Sequence, residues 1–183
     1  MTDTWYRLLD LKTPLDDLLV WARQTQLTET GRKTLGTVGE QWTWIGSAPE
    51  SLWTEANDIF PCLEYWGSDA PRVGHDHGPR CCSVWEYQDG TELSAHIDTT
   101  EGVGAYPGIT SMIIPLIGGF TTWYYTDETC TQKADSVTYY PGKIFVMRNW
   151  DRYHGGVPTN DYRMCLHIFS QPDCLATVEA LFS

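Results

Sequence analysis

Positive charge is scarce in this chain. Its 183 residues carry 12 lysines and arginines against 24 aspartates and glutamates, a formal net charge of -12. So acidic a protein is repelled by phosphate backbones and anionic membranes. The few basic residues are scattered, so neither nucleic acid nor a membrane surface is an expected partner. Long apolar runs are also missing: nothing approaches the ~18 residues that span a bilayer. Met1-Thr2-Asp3-Thr4-Trp5 lacks the basic region and apolar stretch of a secretory signal, so a cytoplasmic location is expected. No repeat, low-complexity tract or interdomain linker divides the chain. No CxxC pair is present either. The 6 cysteines, at 62, 81, 82, 130, 165 and 174, include an adjacent pair that suits neither a disulfide framework nor a zinc knuckle. They read as free thiols of a reducing compartment.

What is present reads as globular: 42% hydrophobic and 20% charged residues, in a length that fits one domain over 1–183 and can bury a core. Thr13 as a cap, Pro14 in the first turn and Asp16 and Asp17 at the positive dipole end predict a helix over 14–25, with Leu15, Leu18, Leu19 and Ala22 on its apolar face. Shorter helices are predicted near 48–57 and 172–181. Between them, β-branched and aromatic runs separated by Gly, Pro, Asp and Asn predict strands over 41–45, 62–66, 81–87, 92–97, 109–116, 121–125, 136–140, 143–147 and 162–169. Short strands at that spacing predict a mainly β sandwich or barrel with flanking helices.

The chemistry concentrates in residues 92–98. Strand alternation puts Leu93, Ala95 and Ile97 on one face and Glu92, Ser94, His96 and Asp98 on the other. His96 and Asp98 then project together and can grip one metal ion. His154, in the Gly-rich stretch after residues 141–147, supplies a third ligand, and Arg163 follows. Two imidazoles and one carboxylate on one face of an octahedron leave three positions open, which suits non-haem Fe(II). A planar, permanently charged guanidinium suits a distal carboxylate.

These residues resemble the 2-oxoglutarate- and Fe(II)-dependent oxygenases, in particular the prolyl-hydroxylase-like branch. The resemblance runs from about Trp85 to Phe169, around a metal-binding core of about 81–170. It rests on Tyr87-Gln88-Asp89-Gly90 leading to His96-Ile97-Asp98, on Leu116 followed by Gly118-Gly119-Phe120-Thr121, on the Pro141-Gly142 turn, and on His154-Gly155-Gly156-Val157 through Arg163. It implies a double-stranded β-helix (cupin-like jelly roll). It implies Fe(II) on His96, Asp98 and His154, and 2-oxoglutarate on Arg163, Tyr87 and Thr121, with O2 consumed and ascorbate as an accompanying reductant. The implied reaction is hydroxylation of an unactivated C–H bond, with succinate and CO2 released. The chain departs from the family's pattern where some relatives carry a tyrosine, here Ile114 and Pro115, and a serine, here Cys165.

The substrate implied is a small polar metabolite such as an amino acid, or a peptidyl residue such as proline. Trp150, Trp123 and Tyr106 are candidates for lining its pocket, although an aromatic-rich core accounts for most of the 9 Trp and 10 Tyr. Glu101 to Gly108 can form either a lid or a plain connection. His75-Asp76-His77 lies in a Gly/Pro-bounded loop with no third ligand nearby, and reads as a loop near the site mouth, with plain solvent exposure and a second metal site as the alternatives. His167 shares parity with Arg163 and reads as a hydrogen-bonded interior histidine. Two other readings stay open: a cupin-type metalloenzyme that does not use 2-oxoglutarate, and an inactive binding protein of the same fold. The oligomeric state is not legible.

Overall fold

The computed structural model describes residues 4–25, 29–30, 40–45, 48–62, 82–91, 93–98, 111–156, 161–170 and 174–183. In chain order these form β1 (Tyr6–Asp10), α1 (Leu15–Arg23), β2 (Glu29–Thr30), β3 (Glu40–Ile45), α2 (Glu50–Ile59), β4 (Cys82–Tyr87) and β5 (Leu93–His96). They continue with β6 (Ser111–Ile117), β7 (Phe120–Tyr125), β8 (Lys133–Tyr139), β9 (Lys143–Met147), β10 (Tyr153–Gly156), β11 (Arg163–Phe169) and α3 (Leu175–Leu181). A seven-stranded sheet runs β1-β9-β6-β11-β4-β3-β2, and a four-stranded sheet runs β5-β10-β7-β8. Every pairing is antiparallel. This is the expected mainly β, double-stranded β-helix architecture with a few flanking helices.

The central strands of the large sheet, β4, β6, β9 and β11, are buried on both faces. Its outer face, with Ile114, Ile144, Leu166 and Ile168, packs against Leu18 of α1, Leu52 of α2 and Val178 of α3. Burying each such side chain contributes roughly 1.5–3 kcal/mol. Its inner face meets the small sheet through an aromatic layer that includes Trp85, Tyr87, Phe120, Tyr124, Tyr139 and Phe145. Strands β4, β6 and β11 are therefore buried along nearly their whole length, polar Ser83, Ser111 and Arg163 included, while β7 alternates buried Phe120, Thr122 and Tyr124 with half-buried Thr121, Trp123 and Tyr125. Pro115 in central β6 is tolerated at an irregularity: Met164 pairs Ile117 but Cys165 pairs Pro115, so Leu116 is an extra residue there.

Several details differ from the sequence reading. Thr13 does not cap α1 with its side chain; Pro14 is the N-cap residue. The buried Glu55 carboxylate of α2 instead accepts bonds from Lys12 N (2.6 Å), Thr13 N (2.8 Å) and Thr13 Oγ1 (2.7 Å). Strands β1, β2 and β10 were not expected; Tyr153-His154-Gly155-Gly156 reads as a turn but pairs on both sides. Of the strand expected over 62–66, only Cys62 is described, bridged to Ser170. No described helix is long and apolar enough to cross a membrane.

Candidate active site

Strand β10 sits between β5 and β7, with His154 opposite His96 on one side and Tyr124 on the other. This pairing sets the two imidazoles side by side, tilted at 53° with centroids 4.5 Å apart. The chain leaving β5 is then tied to the segment after β9: Asp98 N donates to Asn149 O at 3.1 Å, and the Asn149 side-chain amide donates to Asp98 Oδ2. His96, Asp98 and His154 thereby present ligand atoms within 4.8 Å of one another.

Each imidazole is oriented through Nδ1, which lies 2.8 Å from Ser94 O for His96 and 3.0 Å from Arg152 O for His154. A carbonyl only accepts, so each Nδ1 carries the proton and each Nε2 keeps its lone pair for a metal. His96 Nε2 faces Asp98 Oδ1 at 3.4 Å. Burial alone would raise the Asp98 pKa. When both imidazoles are protonated on both nitrogens, with no metal bound, the His96 hydrogen bond, the charges of His154 and His96 and the Asn149 amide outweigh it and hold the carboxyl at about 2. The donor set of two imidazoles and an ionised carboxylate fits a divalent first-row metal with open coordination positions.

The face carrying His96 does not follow simple alternation. Between the pairs His154–His96 and Gly156–Leu93, β10 spends one residue and β5 two, so β5 bulges. Leu93 consequently lines the cavity, while Ser94 is exposed. Gly155 lies against this bulge; a Cβ there would sit 3.0 Å from Leu93 O and 3.1 Å from Ala95 Cα. Glu92 lies outside the described residues.

The triad opens onto a cavity of about 730 Å³, mouth included. At one end Arg163 of β11, paired with Tyr87 of β4, is buried at 4% exposure. Its guanidinium lies 5.2 Å from the Tyr87 ring centre and 5.1 Å from that of Phe120. It donates to Thr91 O at 2.9 Å, its Nε has no partner, and no carboxylate among the described residues balances it. Burial pulls its pKa below the usual arginine value. Gly118, at φ +71°, turns the chain beside it; a Cβ there would lie 2.9 Å from Tyr162 O and 3.0 Å from Arg163 Cγ.

The other sequence-derived candidates fall in different places. Tyr87 lines the cavity, its ring stacked on Trp85. Thr121, half-buried on β7, is also among the residues lining the cavity, and its hydroxyl meets Thr138 Oγ1 at 2.9 Å. The buried hydroxyl is that of its neighbour Thr122, 3.2 Å from Tyr139 Oη. Trp123 shares the outward parity of Thr121 and lies under Lys133. Trp150 packs edge-on against Phe182. Neither tryptophan lines the cavity. Tyr106, the 101–108 segment, His75 and His77 lie outside the described residues. His167 does line the cavity, tilted against Trp85 at 5.1 Å. Sequence reasoning missed Asn149, Thr122 and Tyr139. Strand parity counted from buried Phe120 would have found Thr122, but no local pattern marks Asn149.

The two facing sheets have the fold of the 2-oxoglutarate- and Fe(II)-dependent oxygenases, prolyl hydroxylases included. Among solved structures, the chain is similar to a prolyl-4-hydroxylase from Pseudomonas putida (15% identity over 92% of this chain and 93% of that one, TM-score 0.61). It is similar to a prolyl hydroxylase from Trichoplax adhaerens in complex with a hypoxia-inducible-factor peptide fragment (14% identity, 100% and 88% covered, TM-score 0.61). It is also similar to HygX from Streptomyces hygroscopicus with nickel and 2-oxoglutarate bound (9% identity, 93% and 84% covered, TM-score 0.57). No protein-family model matches the sequence, and no curated protein matches it as a relative. At these identities the likeness establishes the fold.

Proposed function

We propose that this protein is an Fe(II)- and 2-oxoglutarate-dependent dioxygenase that hydroxylates an unactivated C–H bond of a small polar metabolite or a peptidyl residue. The observation that carries this reading is Arg163: a buried guanidinium, without a balancing carboxylate among the described residues, in the same cavity as the His-Asp-His cluster. A desolvated cation left unpaired is costly, and an anion from solution relieves it. A linear molecule with a carboxylate at one end and a metal-chelating 2-oxo acid at the other serves both ends of the cavity.

His96, Asp98 and His154 would hold the metal. With 2-oxoglutarate and O2 it supplies the oxidising power, one oxygen atom entering the substrate C–H bond and the other the succinate that leaves with CO2. The chain's own part is orientation. Ser94 O and Arg152 O fix the imidazoles, Asn149 fixes the carboxylate, and Arg163 anchors the cosubstrate between two rings. Phe120, Tyr139 and Trp85 wall the cavity and limit water. Asp98 fills the position that a halide would need, which favours hydroxylation. The unbridged Cys62, Cys82, Cys165 and Cys174 support a reducing, cytoplasmic setting.

The test is succinate release from 2-oxoglutarate by the Fe(II)-loaded protein, in the absence and presence of candidate amino acids and proline-containing peptides. The reading requires metal-dependent succinate formation that is lost in Arg163→Met. Turnover of a substrate without 2-oxoglutarate would replace it with another cupin chemistry.

A further inference from the structure

The proposed function uses the metal cluster and the Arg163 end of the cavity and leaves a third part of its wall without a role. Along β11, His167 stands four residues beyond Arg163, roughly 13 Å away at the rise of a strand. Its half-buried ring lines the cavity, tilted against Trp85. Phe169 follows on the same face and pairs with Ser111 of β6, which pairs in turn with Met147 of β9. His167 pairs with Ile113, so Ser111 and His167 are diagonal neighbours on one face of the sheet. Ser111 is 3% exposed, shares the inward parity of Ile113 and lines the cavity. Its hydroxyl has no hydrogen-bond partner among the described residues. A buried polar group in that state is costly unless something entering the cavity satisfies it. The Trp85 indole N–H, by contrast, already donates to Ser83 Oγ at 2.6 Å.

This part of the wall lies level with the metal cluster. Tyr124, which pairs with His154, stacks on Tyr6 with centroids 6.1 Å apart, and Tyr6 pairs with Met147. One layer therefore leads from His154 through Tyr124 and Tyr6 to Met147 and Ser111, and a substrate that presents a C–H bond to the metal has this wall beside it. Among the described residues that line the cavity, the permanently charged side chains are Asp98 and Arg163. The proposed function commits the first to the metal and the second to the cosubstrate. Neither is left to pair with an ammonium or a carboxylate of the substrate, and burying such a group unpaired is unfavourable. A hydroxyl and an imidazole can instead donate to a carbonyl and accept from an N–H.

We propose that Ser111 and His167 form the subsite that selects the substrate: it takes an uncharged amide carried on an apolar body, held among Trp85, Met147 and Phe169, and it rejects a free amino acid. The inference rests on the function proposed above and narrows the substrate class which that function leaves open.

The test is anaerobic calorimetric titration of the Fe(II)- and 2-oxoglutarate-loaded protein with two matched sets of probes: the free amino acids, and the same amino acids capped as N-acetyl amides. A capped residue with an apolar side chain should bind, and its free counterpart should bind at least about tenfold more weakly. For that probe, Ser111→Ala and His167→Phe should each weaken binding about tenfold. His167→Gln, which keeps a donor and an acceptor, should recover most of the loss. Fe(II) and 2-oxoglutarate affinities should stay at the wild-type level in all three variants, which reports an intact fold. Tighter binding of the free amino acids, no binding of any capped probe, or wild-type affinity in both Ser111→Ala and His167→Phe overturns the subsite; with 2-oxoglutarate still bound, the proposed function stands. Failure of the wild type to bind 2-oxoglutarate overturns both.

Discussion

At the metal end of the cavity, three polar side chains come from the small sheet and the segment after it, and each already has a partner within the chain. Carbonyls hold the imidazoles, and the Asn149 amide holds Asp98. At the other end a single cation projects from the large sheet between two rings, with one carbonyl partner and one orphaned N–H. The metal end is organised before anything binds, because its hydrogen bonds fix ring and carboxylate orientation without the ion. The Arg163 end is left electrostatically incomplete. The first arrangement favours a tightly held resident ion, the second a ligand that enters and leaves with each turnover.

Removing a metal ligand should produce the largest effect: His96→Ala should abolish Fe(II)-dependent succinate formation, measured in the same assay as the wild type. Arg163→Met should weaken 2-oxoglutarate binding on the order of 100-fold, the loss of a charge-assisted double hydrogen bond. Iron affinity should hardly change, and a calorimetric titration of each ligand separates the two. Asn149→Ala should do the reverse, lowering metal affinity about tenfold while 2-oxoglutarate affinity, measured at saturating metal, stays near wild type.

The smallest effect concerns acid stability of the metal-free protein. The Asp98 pKa in the fold, about 2, lies below the ordinary carboxyl value of 3.8, so its ionised form stabilises the fold above that ordinary value. The contribution, on the order of 2 kcal/mol, is lost as pH falls through the folded pKa. Urea unfolding should show the gap between wild type and Asp98→Asn closing as pH drops from 5 towards 2. A constant gap would mean that Asp98 is not held ionised by its neighbours.

Much of this contrast is legible in the sequence. The spacing of His96, Asp98, His154 and Arg163 marks both ends of the cavity, and the β-rich runs mark the sheets. Legibility fails where pairing overrides local pattern. Alternation puts Ser94 beside His96, but the β5 bulge turns Leu93 inward instead. Thr121 and Thr122 both line the cavity, but only Thr122 shares the buried parity of Phe120, and that parity is set by the facing sheet. His154 looks like a turn residue because two glycines follow it. Those glycines permit close approach of β10 and β5 and so create the strand. Trp150 is close to His154 in sequence yet belongs to the packing around α3, which no local signal reveals. The Thr13 hydroxyl, expected to cap α1, is instead held by Glu55 from 42 residues away.

The central claim is that one cavity joins a metal site to a carboxylate site. Anaerobic addition of Fe(II) and then 2-oxoglutarate to the metal-free protein tests it most directly, read as the weak visible metal-to-ligand charge-transfer band of a chelated 2-oxo acid. The band should appear in the wild type and vanish in both His96→Ala and Arg163→Ala. Fe(II) binding with no band in the wild type would contradict the account: the triad would stand as a metal site, and 2-oxoglutarate would not be its partner.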